Sequence, residues 1–188
     1  MLKNLQDKIL NIAAIILVAM FFSCGNELKE VEDFLADRNL PIGVVKNVYL
    51  IHTDSGRIKT KLIAPVMNDF SNRKNHPYTE FPEGLKIVSY DEFNDSVILL
   101  ADYSINYTKT NISEVKNNVN VINYADSSKL ITNQLFWDAN EHYFYTEKKF
   151  ILITKTDTIH GTGFESNEDL TKLNMKSVSG TIYVKENP

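Results

Sequence analysis

The sequence is poor in the residues that build disulfide-stapled, metal-binding or multidomain proteins. It has one Cys, 5 Pro and 7 Gly among 188 residues. One Cys excludes an intramolecular disulfide and a Cys-rich metal site, and so little Gly and Pro argues against a flexible linker between domains. Basic residues are also few, with 20 Lys and Arg against 24 Asp and Glu. The net charge of −4 argues against a nucleic-acid binder, which normally carries a basic face.

The motifs of common enzyme active sites are missing as well. The sequence contains no G-x-S-x-G elbow, no phosphate-binding P-loop and no H-E-x-x-H pair. The four histidines, His52, His76, His142 and His160, lack the spacing of metal ligands and are expected to be surface or strand residues. We therefore predict a protein that is not an enzyme and that has neither a cofactor nor a metal.

The hydrophobic residues that the chain does have are concentrated first near its N-terminus. Ile9–Phe22 is a run of fourteen residues that is apolar apart from Asn11. A membrane-spanning helix needs roughly 20 residues, whereas a charged start, a run of about 7–15 apolar residues and a small residue are typical of a secretory signal. We predict that residues 1–23 are a signal peptide or a membrane anchor, so that the rest of the chain lies outside the cytosol and is tied to a membrane.

The residues around the single cysteine resemble a bacterial lipobox, in which the thiol is diacylated and becomes the new N-terminus. Ser23 precedes Cys24, but Phe21 stands where the pattern prefers Leu. Several acyl chains hold a protein to a bilayer far more firmly than one. Cys24 is therefore the predicted lipidation site, with an uncleaved anchor and an incidental cysteine as the alternative. Residues 24–41 are mostly polar and predict a tether.

Residues 42–188 predict one all-β domain of about ten to twelve strands and no helix. Runs with period 2 alternate with Asn, Asp, Gly and Ser clusters, most clearly in the hairpin of Val44–Ile51 and Arg57–Ala64. Pro65 is then expected to interrupt the ladder, since it has no N–H to donate. Similar strand pairs recur at intervals near 30 residues, which favours stacked hairpins in one long open sandwich.

Several strands are apolar on both faces, notably Val97–Leu100 and Phe150–Ile153. A sandwich strand normally turns one face to the other sheet and one to water. Two apolar faces indicate extra burial under a loop, a partner protein or an apolar ligand.

A set of short motifs in a fixed order resembles the LptC family. They are Phe81-Pro82-Glu83-Gly84-Leu85, Leu99-x-Ala101-Asp102-Tyr103, Leu130-x-Thr132-x-x-Leu135-x-Trp137-Asp138 and Ile159-x-Gly161-x-Gly163-Phe164. LptC is a periplasmic, inner-membrane-tethered component of the lipopolysaccharide export ABC transporter, and this chain is similar to a lipoprotein-like variant of it.

The resemblance implies an open, twisted β-jellyroll that accepts lipopolysaccharide from the periplasmic domains of the transporter and hands it to an LptA-like bridge protein. The implied location is the periplasmic side of the inner membrane, in the service of outer-membrane biogenesis. The alternative is a structural or ligand-binding β-sandwich lipoprotein that transfers no lipid.

The resemblance also assigns candidate residues. Alternate strand residues would line an apolar groove for acyl chains, because each exposed CH₂ costs about 0.8 kcal/mol. The lipid-groove candidates are Ile58, Leu62, Val97, Leu99, Val119, Val121, Leu130, Phe150 and Leu152.

The resemblance also implies docking edges at the two ends of the sheet. Thr181, Ile182, Tyr183 and Val184 would form the last strand, which meets the next jellyroll, and Val44–Ile51 would meet the transporter. Gly161 and Gly163 are predicted structural glycines at a tight bend or a close approach of two backbones.

Overall fold

Eleven antiparallel strands form one continuous sheet in the computed structural model, which describes residues 39–168 and 170–181. No helix occurs in these ranges, so the predicted all-β fold, an open β-jellyroll, is confirmed. In chain order the strands are β1 Gly43–Asp54, β2 Arg57–Phe70, β3 Tyr78–Phe81, β4 Leu85–Tyr90, β5 Ser96–Ala101, β6 Tyr103–Tyr107, β7 Ile112–Asn123, β8 Lys129–Asp138, β9 Tyr143–Ile153, β10 Thr158–Asn167 and β11 Leu173–Thr181.

Two long strands, β2 and β7, change partner halfway along one edge. Strand β2 pairs with β4 through Thr60–Ile63 and with β3 through Asn68–Phe70. Strand β7 pairs with β5 through its last residues and with β6 through Ile112–Lys116. Consequently β3 and β4 lie end to end beside β2, like one interrupted strand. Strands β5 and β6 lie end to end beside β7 in the same way.

The interruptions lie next to one another on successive strands. The β1–β2 ladder omits the pair Asn47–Pro65, where Asn47 has a φ of +53°. Pro65 thus interrupts the ladder as expected, but β2 continues beyond it to Phe70. We call the line of irregular positions the crease; it passes through Asn47, Pro65, Gly84, Asp102, Asn117, Asn118, Asn133, Glu147 and Gly163.

The crease divides the sheet into two half-sheets that share most of their strands. Half-sheet I contains β3, β6, the starts of β1, β7, β9 and β11, and the ends of β2, β8 and β10. Half-sheet II contains β4, β5 and the other parts of the long strands.

The two half-sheets pack on a single hydrophobic core. Residues from both belong to one cluster of buried side chains, and the rings of Phe150 in half-sheet II and Phe164 in half-sheet I are 5.5 Å apart. Val119, Val121 and Leu130 have 0% of their surface exposed, which a single uncovered sheet could not provide. The creased sheet therefore forms the two layers of a sandwich by itself.

The sheet has two unpaired edges in the described part of the chain. Strand β1 pairs only with β2, and β11 pairs only with β10, so these strands lie at opposite ends of the sandwich. Sequence reasoning placed the last strand at residues 181–184, whereas β11 begins at Leu173 and is described as far as Thr181.

Candidate functional site

A row of directly paired apolar residues crosses half-sheet II on its inner face. Partners in an antiparallel ladder point to the same side of a sheet, so the register defines the row. It connects β1, β2, β4, β5, β7, β8, β9 and β10 through Leu50, Leu62, Ile87, Leu99, Val121, Leu130, Leu152 and Ile159. We call it the inner row. Five of the groove candidates, Leu62, Leu99, Val121, Leu130 and Leu152, belong to it.

The other groove candidates flank the inner row on the same half-sheet. Val119 and Phe150 belong to the neighbouring row, where both are paired with Thr132. Val97 is paired with Ser89 and Asn123 on the other side of the inner row. Ile58 lies at the end of β2, opposite Thr53. All nine candidates are thus placed in half-sheet II.

The inner row changes from open to sealed along its length. At the β1 end, Leu50 is 51% exposed and Ile58 is 41% exposed, and Leu62, Ile87 and Val97 are partly buried. From β5 to β9 the row is buried, with Leu99 6% exposed and Leu130 fully enclosed. The β1 end of the row is accessible in this arrangement, whereas its middle is covered by the opposite half-sheet.

Toward the opposite end of the sandwich, Phe150 of β9 is paired with Gly161 of β10. A Cβ on Gly161 would lie 2.5 Å from the Phe150 ring and 2.6 Å from the carbonyl oxygen of Ser177. Gly163 has a φ of +74° beside the irregular β9–β10 pairing. At this end Val178 of β11 is exposed.

Residues of the other sequence motifs support the crease. Gly84 has a φ of +82°, and a Cβ there would lie 2.5 Å from the carbonyl oxygen of Ala101. Asp102 follows at once: its N–H donates to the Asn117 carbonyl at 3.1 Å, and its carboxylate accepts a bond from the Asn118 amide. The contact of Gly84 with the backbone of Ala101 and Asp102 therefore joins two of the sequence motifs, Phe81-Pro82-Glu83-Gly84-Leu85 and Leu99-x-Ala101-Asp102-Tyr103.

The outer face of half-sheet I carries carboxylates with aromatic and polar partners. Glu80 accepts a bond from the Tyr103 hydroxyl at 2.7 Å and from the Asn68 amide at 3.2 Å. Burial and the neighbouring carboxylate raise the pKa of Tyr103 far above its usual value. Glu114 is buried, accepts a bond from Gln134 and forms an ion pair with Lys116 at 3.0 Å.

A second polar group lies at the far end of half-sheet I. The Trp137 indole N–H donates to Glu168 at 2.6 Å, and His142 lies 3.4 Å from the same carboxylate oxygen. Trp137 packs against the core, and Phe136, on the opposite face, stacks on Tyr145 with centroids 5.0 Å apart. These contacts tie the β8–β9 turn to the β10–β11 loop.

Several predicted positions lie outside the described residues. This group comprises the predicted lipidation site Cys24, the predicted segments 1–23 and most of 24–41, and Ile182, Tyr183 and Val184 of the predicted docking strand. Within the described ranges, no group of three or more His, Cys, Asp or Glu residues is arranged to hold a metal ion. The same ranges contain no helix of the length and hydropathy required to cross a membrane.

Sequence reasoning missed four residues of the apolar interior. Leu50, Ile87 and Ile159 belong to the inner row, and Val178 is exposed at the β11 end. The alternation of Val48, Leu50 and His52 was a usable signal for Leu50, since residues two apart share a face of a strand. Val178 had no such signal, because serines flank it in a segment with little hydrophobic pattern.

Comparison with known proteins identifies the family. The profile described as "Lipopolysaccharide-assembly, LptC-related" matches residues 12–184. No curated protein matches the chain significantly. Members of this family are components of lipopolysaccharide transport on the periplasmic side of the inner membrane, and the family is not an enzyme family. With a match over nearly its whole length, on an all-β fold, the chain belongs to the LptC-related family.

Proposed function

We propose that this protein is a membrane-tethered periplasmic carrier that accepts lipopolysaccharide at the β1 end of its sandwich and passes it to an LptA-like bridge protein at the β11 end. The observation that carries the proposal is the inner row, which is apolar from β1 to β10 and open at β1. A carrier of this kind needs no catalytic group, because it only has to shield acyl chains from water. Exposure of each CH₂ group of an acyl chain to water costs about 0.8 kcal/mol of free energy.

The entry step uses the open end of the inner row. Leu50, Ile58 and Leu62 offer partly exposed apolar surface where acyl chains could first leave the bilayer. The enclosed middle then requires the half-sheets to part, and the crease is the natural hinge because its ladder is already interrupted in β1–β2, β7–β8, β8–β9 and β9–β10. The acyl chains would then move along the inner row as the two half-sheets separate.

Photo-crosslinking in cells tests the carriage of lipid. A photoreactive residue at Leu62 or Leu99 faces the interior, and one at Ile105 faces outward from half-sheet I. We expect lipopolysaccharide adducts at Leu62 and Leu99 that require ATP hydrolysis by the transporter, and none at Ile105. If the folded, membrane-bound protein gave no adducts at the inward positions, the structural β-sandwich lipoprotein would replace the carrier.

The docking edges have a reciprocal test. Deletion of residues 181–188 should abolish binding of the LptA-like bridge and leave transporter binding intact, because a partner strand adds to an open edge through its backbone. Tyr49→Pro, in the middle of edge strand β1, should do the reverse. Copurification with each partner is the measurement, and equal effects of both changes on both partners would refute the assignment of edges.

Mass spectrometry of the mature N-terminus tests the anchor. A diacylated Cys24 as the first residue is expected, and an unmodified chain that begins at Met1 would show the uncleaved anchor instead.

A further inference from the structure

The outer face of half-sheet II is apolar where a sandwich face normally meets water. The register that defines the inner row also defines the residues on the opposite side. Ile98 is paired with Val88 and Ile122, and Ile131 is paired with Ile151. The aliphatic and aromatic residues of this outer face are Tyr49, Ile51, Ile63, Val88, Tyr90, Ile98, Leu100, Ile122, Ile131, Ile151 and Ile153.

Much of this apolar surface remains accessible. Tyr49, Ile51, Ile63 and Leu100 are exposed, and Ile98 is half-buried. A concavity of about 490 Å³ continues the surface toward β11, where Ile131 and Ile151 line it together with His160. Contiguous apolar surface of this kind marks an interaction site in a soluble domain.

The charges on the same face all have one sign. The outward strand positions of half-sheet II carry Lys59, Lys61, Lys86 and Lys129, with Lys149 beside the crease. No Asp or Glu occupies an outward position between the crease and the turns; the acidic residues of this half-sheet, such as Asp54, Asp91 and Asp126, stand in or next to the turns at its far end. A chain with a net charge of −4 thus concentrates lysines on one apolar face.

The outer face of half-sheet I carries charges of both signs. Glu80, Glu114 and Glu165 stand there among aromatic rings, Lys46 lies at an outward position of β1, and Lys116 forms an ion pair with Glu114. The two outer faces of the sandwich therefore differ in charge and in side-chain type, which gives the molecule one side suited to an anionic, apolar surface.

We infer that the outer face of half-sheet II docks on the anionic phospholipid surface of the membrane to which the protein is tethered. Lysines can place their ammonium groups among lipid phosphates and their methylenes beside the aliphatic rows. The structure is described from Asn39, and the fifteen residues from Cys24 to that point reach at most about 50 Å when extended. The face is thus held close to a bilayer, so weak attraction suffices for docking. This inference rests on the proposed membrane tether and concerns the orientation of the domain, and it does not depend on lipid carriage.

Fluorescence quenching in vesicles tests the docking with the full anchored chain. In a Trp137→Phe background, a tryptophan at Ile98 reports on the outer face of half-sheet II, and a tryptophan at Ile105 reports on that of half-sheet I. With brominated lipids as quencher, we expect strong quenching at Ile98 in vesicles that contain phosphatidylglycerol and little quenching in phosphatidylcholine vesicles. The position at Ile105 should be quenched weakly in both.

Removal of charge should release the face from the membrane. The triple substitution Lys61→Gln, Lys86→Gln and Lys129→Gln is expected to lower the ratio of docked to free domains about 100-fold, since each lysine near an anionic surface contributes about 5-fold. High salt should act in the same direction, because it shortens the screening length.

Hydrogen exchange on the unsubstituted chain provides a second measurement that avoids any loss of stability from Trp137→Phe. Peptides of β4 and β5 should exchange more slowly on phosphatidylglycerol vesicles than on phosphatidylcholine vesicles. Equal quenching at Ile98 and Ile105, or unchanged exchange on the two vesicle types, would overturn the inference. Protection of β4 and β5 without quenching at Ile98 would also overturn it, by pointing to a second copy or another protein on this face.

Discussion

At the scale of single residues, two glycines with left-handed backbone differ in what surrounds them. Gly84 has a φ of +82° and lies against the backbone of Ala101 and Asp102, whereas Gly56 has a φ of +77° with no atom within 4 Å of an added Cβ. The backbone conformation costs a non-glycine residue about 1 kcal/mol at either position. Only at Gly84 does a steric clash add to this cost.

Gly84→Ala should therefore lower the free energy of unfolding by about 3 kcal/mol, and Gly56→Ala by about 1 kcal/mol. Urea unfolding of both variants measures the difference. Equal losses would mean that the contact between Gly84 and the Ala101 carbonyl is relieved by a backbone shift and does not hold the crease.

Tyr103 links stability to alkaline pH. Its pKa is raised by burial and by the Glu80 carboxylate that accepts its hydrogen bond, so the folded protein holds this proton more tightly than the unfolded chain. The resulting stability is present below the ordinary pKa of 10.0 and is lost as pH rises above it.

Tyr103→Phe should cost about 1–2 kcal/mol near neutral pH, since Glu80 loses one donor, and should flatten the fall in stability above pH 10. Urea unfolding at neutral pH and at alkaline pH checks both effects. Tyr107→Phe, on the same strand and the same face, is the control. An equal pH dependence in the two variants would contradict the role of the Tyr103–Glu80 bond.

At the scale of strands, the crease explains why the sheet doubles back on itself. In β7 the left-handed residues Asn117 and Asn118 interrupt the pairing with β8 between Lys116 and Val119. Asparagine adopts this conformation more readily than other non-glycine residues, and β-branched residues adopt it least. The bend is thus encoded by side chains that tolerate it.

Asn117→Val should lower the free energy of unfolding by about 2 kcal/mol, and Asn117→Gly should leave it nearly unchanged. Thermal unfolding followed by circular dichroism compares the two. A valine variant as stable as the glycine variant would show that β7 can straighten without loss of packing.

Some of the strands could be predicted from the sequence, and there is a physical reason why the other strands and the crease could not. The β1–β2 hairpin was predictable because Ile58, Thr60 and Leu62 alternate with Lys59 and Lys61 in its second arm and Asp54-Ser55-Gly56 forms the turn. Strand β3 is only four residues long, and β11 contains serines, glycine and lysine in an edge strand, so neither has a clear pattern. The crease depends on the register between distant strands, which period-2 alternation does not contain.

The same limit applies to the candidate site. Alternation predicted which side chains of Val97–Leu100 share a face, because that is a property of one strand. It could not predict that Leu130 would be sealed while Ile58 stays exposed, because exposure depends on how the opposite half-sheet covers each position. The resemblance to the family was recognised from short motifs, two of which are the paired sides of the crease at Gly84 and Ala101.

At the scale of the whole molecule, stability should decrease from the centre of the sandwich toward its two edges. The central strands β7, β8 and β9 are paired along both sides and carry most of the fully enclosed residues, whereas β1 and β11 each have one neighbour. Hydrogen exchange reports such differences in local opening.

Amide exchange in the free protein should therefore be slowest in β7, β8 and β9 and fastest in β1 and the end of β11. Mass spectrometry of proteolytic peptides measures it, and the β2 peptides serve as an internal reference between the two classes. Uniform protection across the sheet would mean that the edges open only with the whole domain.

The crease also fixes how the molecule can grow. Since the long strands cross both half-sheets, each strand added at β1 or β11 lengthens the two layers together, by about 4.8 Å, without altering the cross-section. A partner that contributes strands at either end would continue the same two-layered cross-section. In this architecture, the number of strands therefore sets the length of the sandwich, whereas the position of the crease along the strands sets its cross-section.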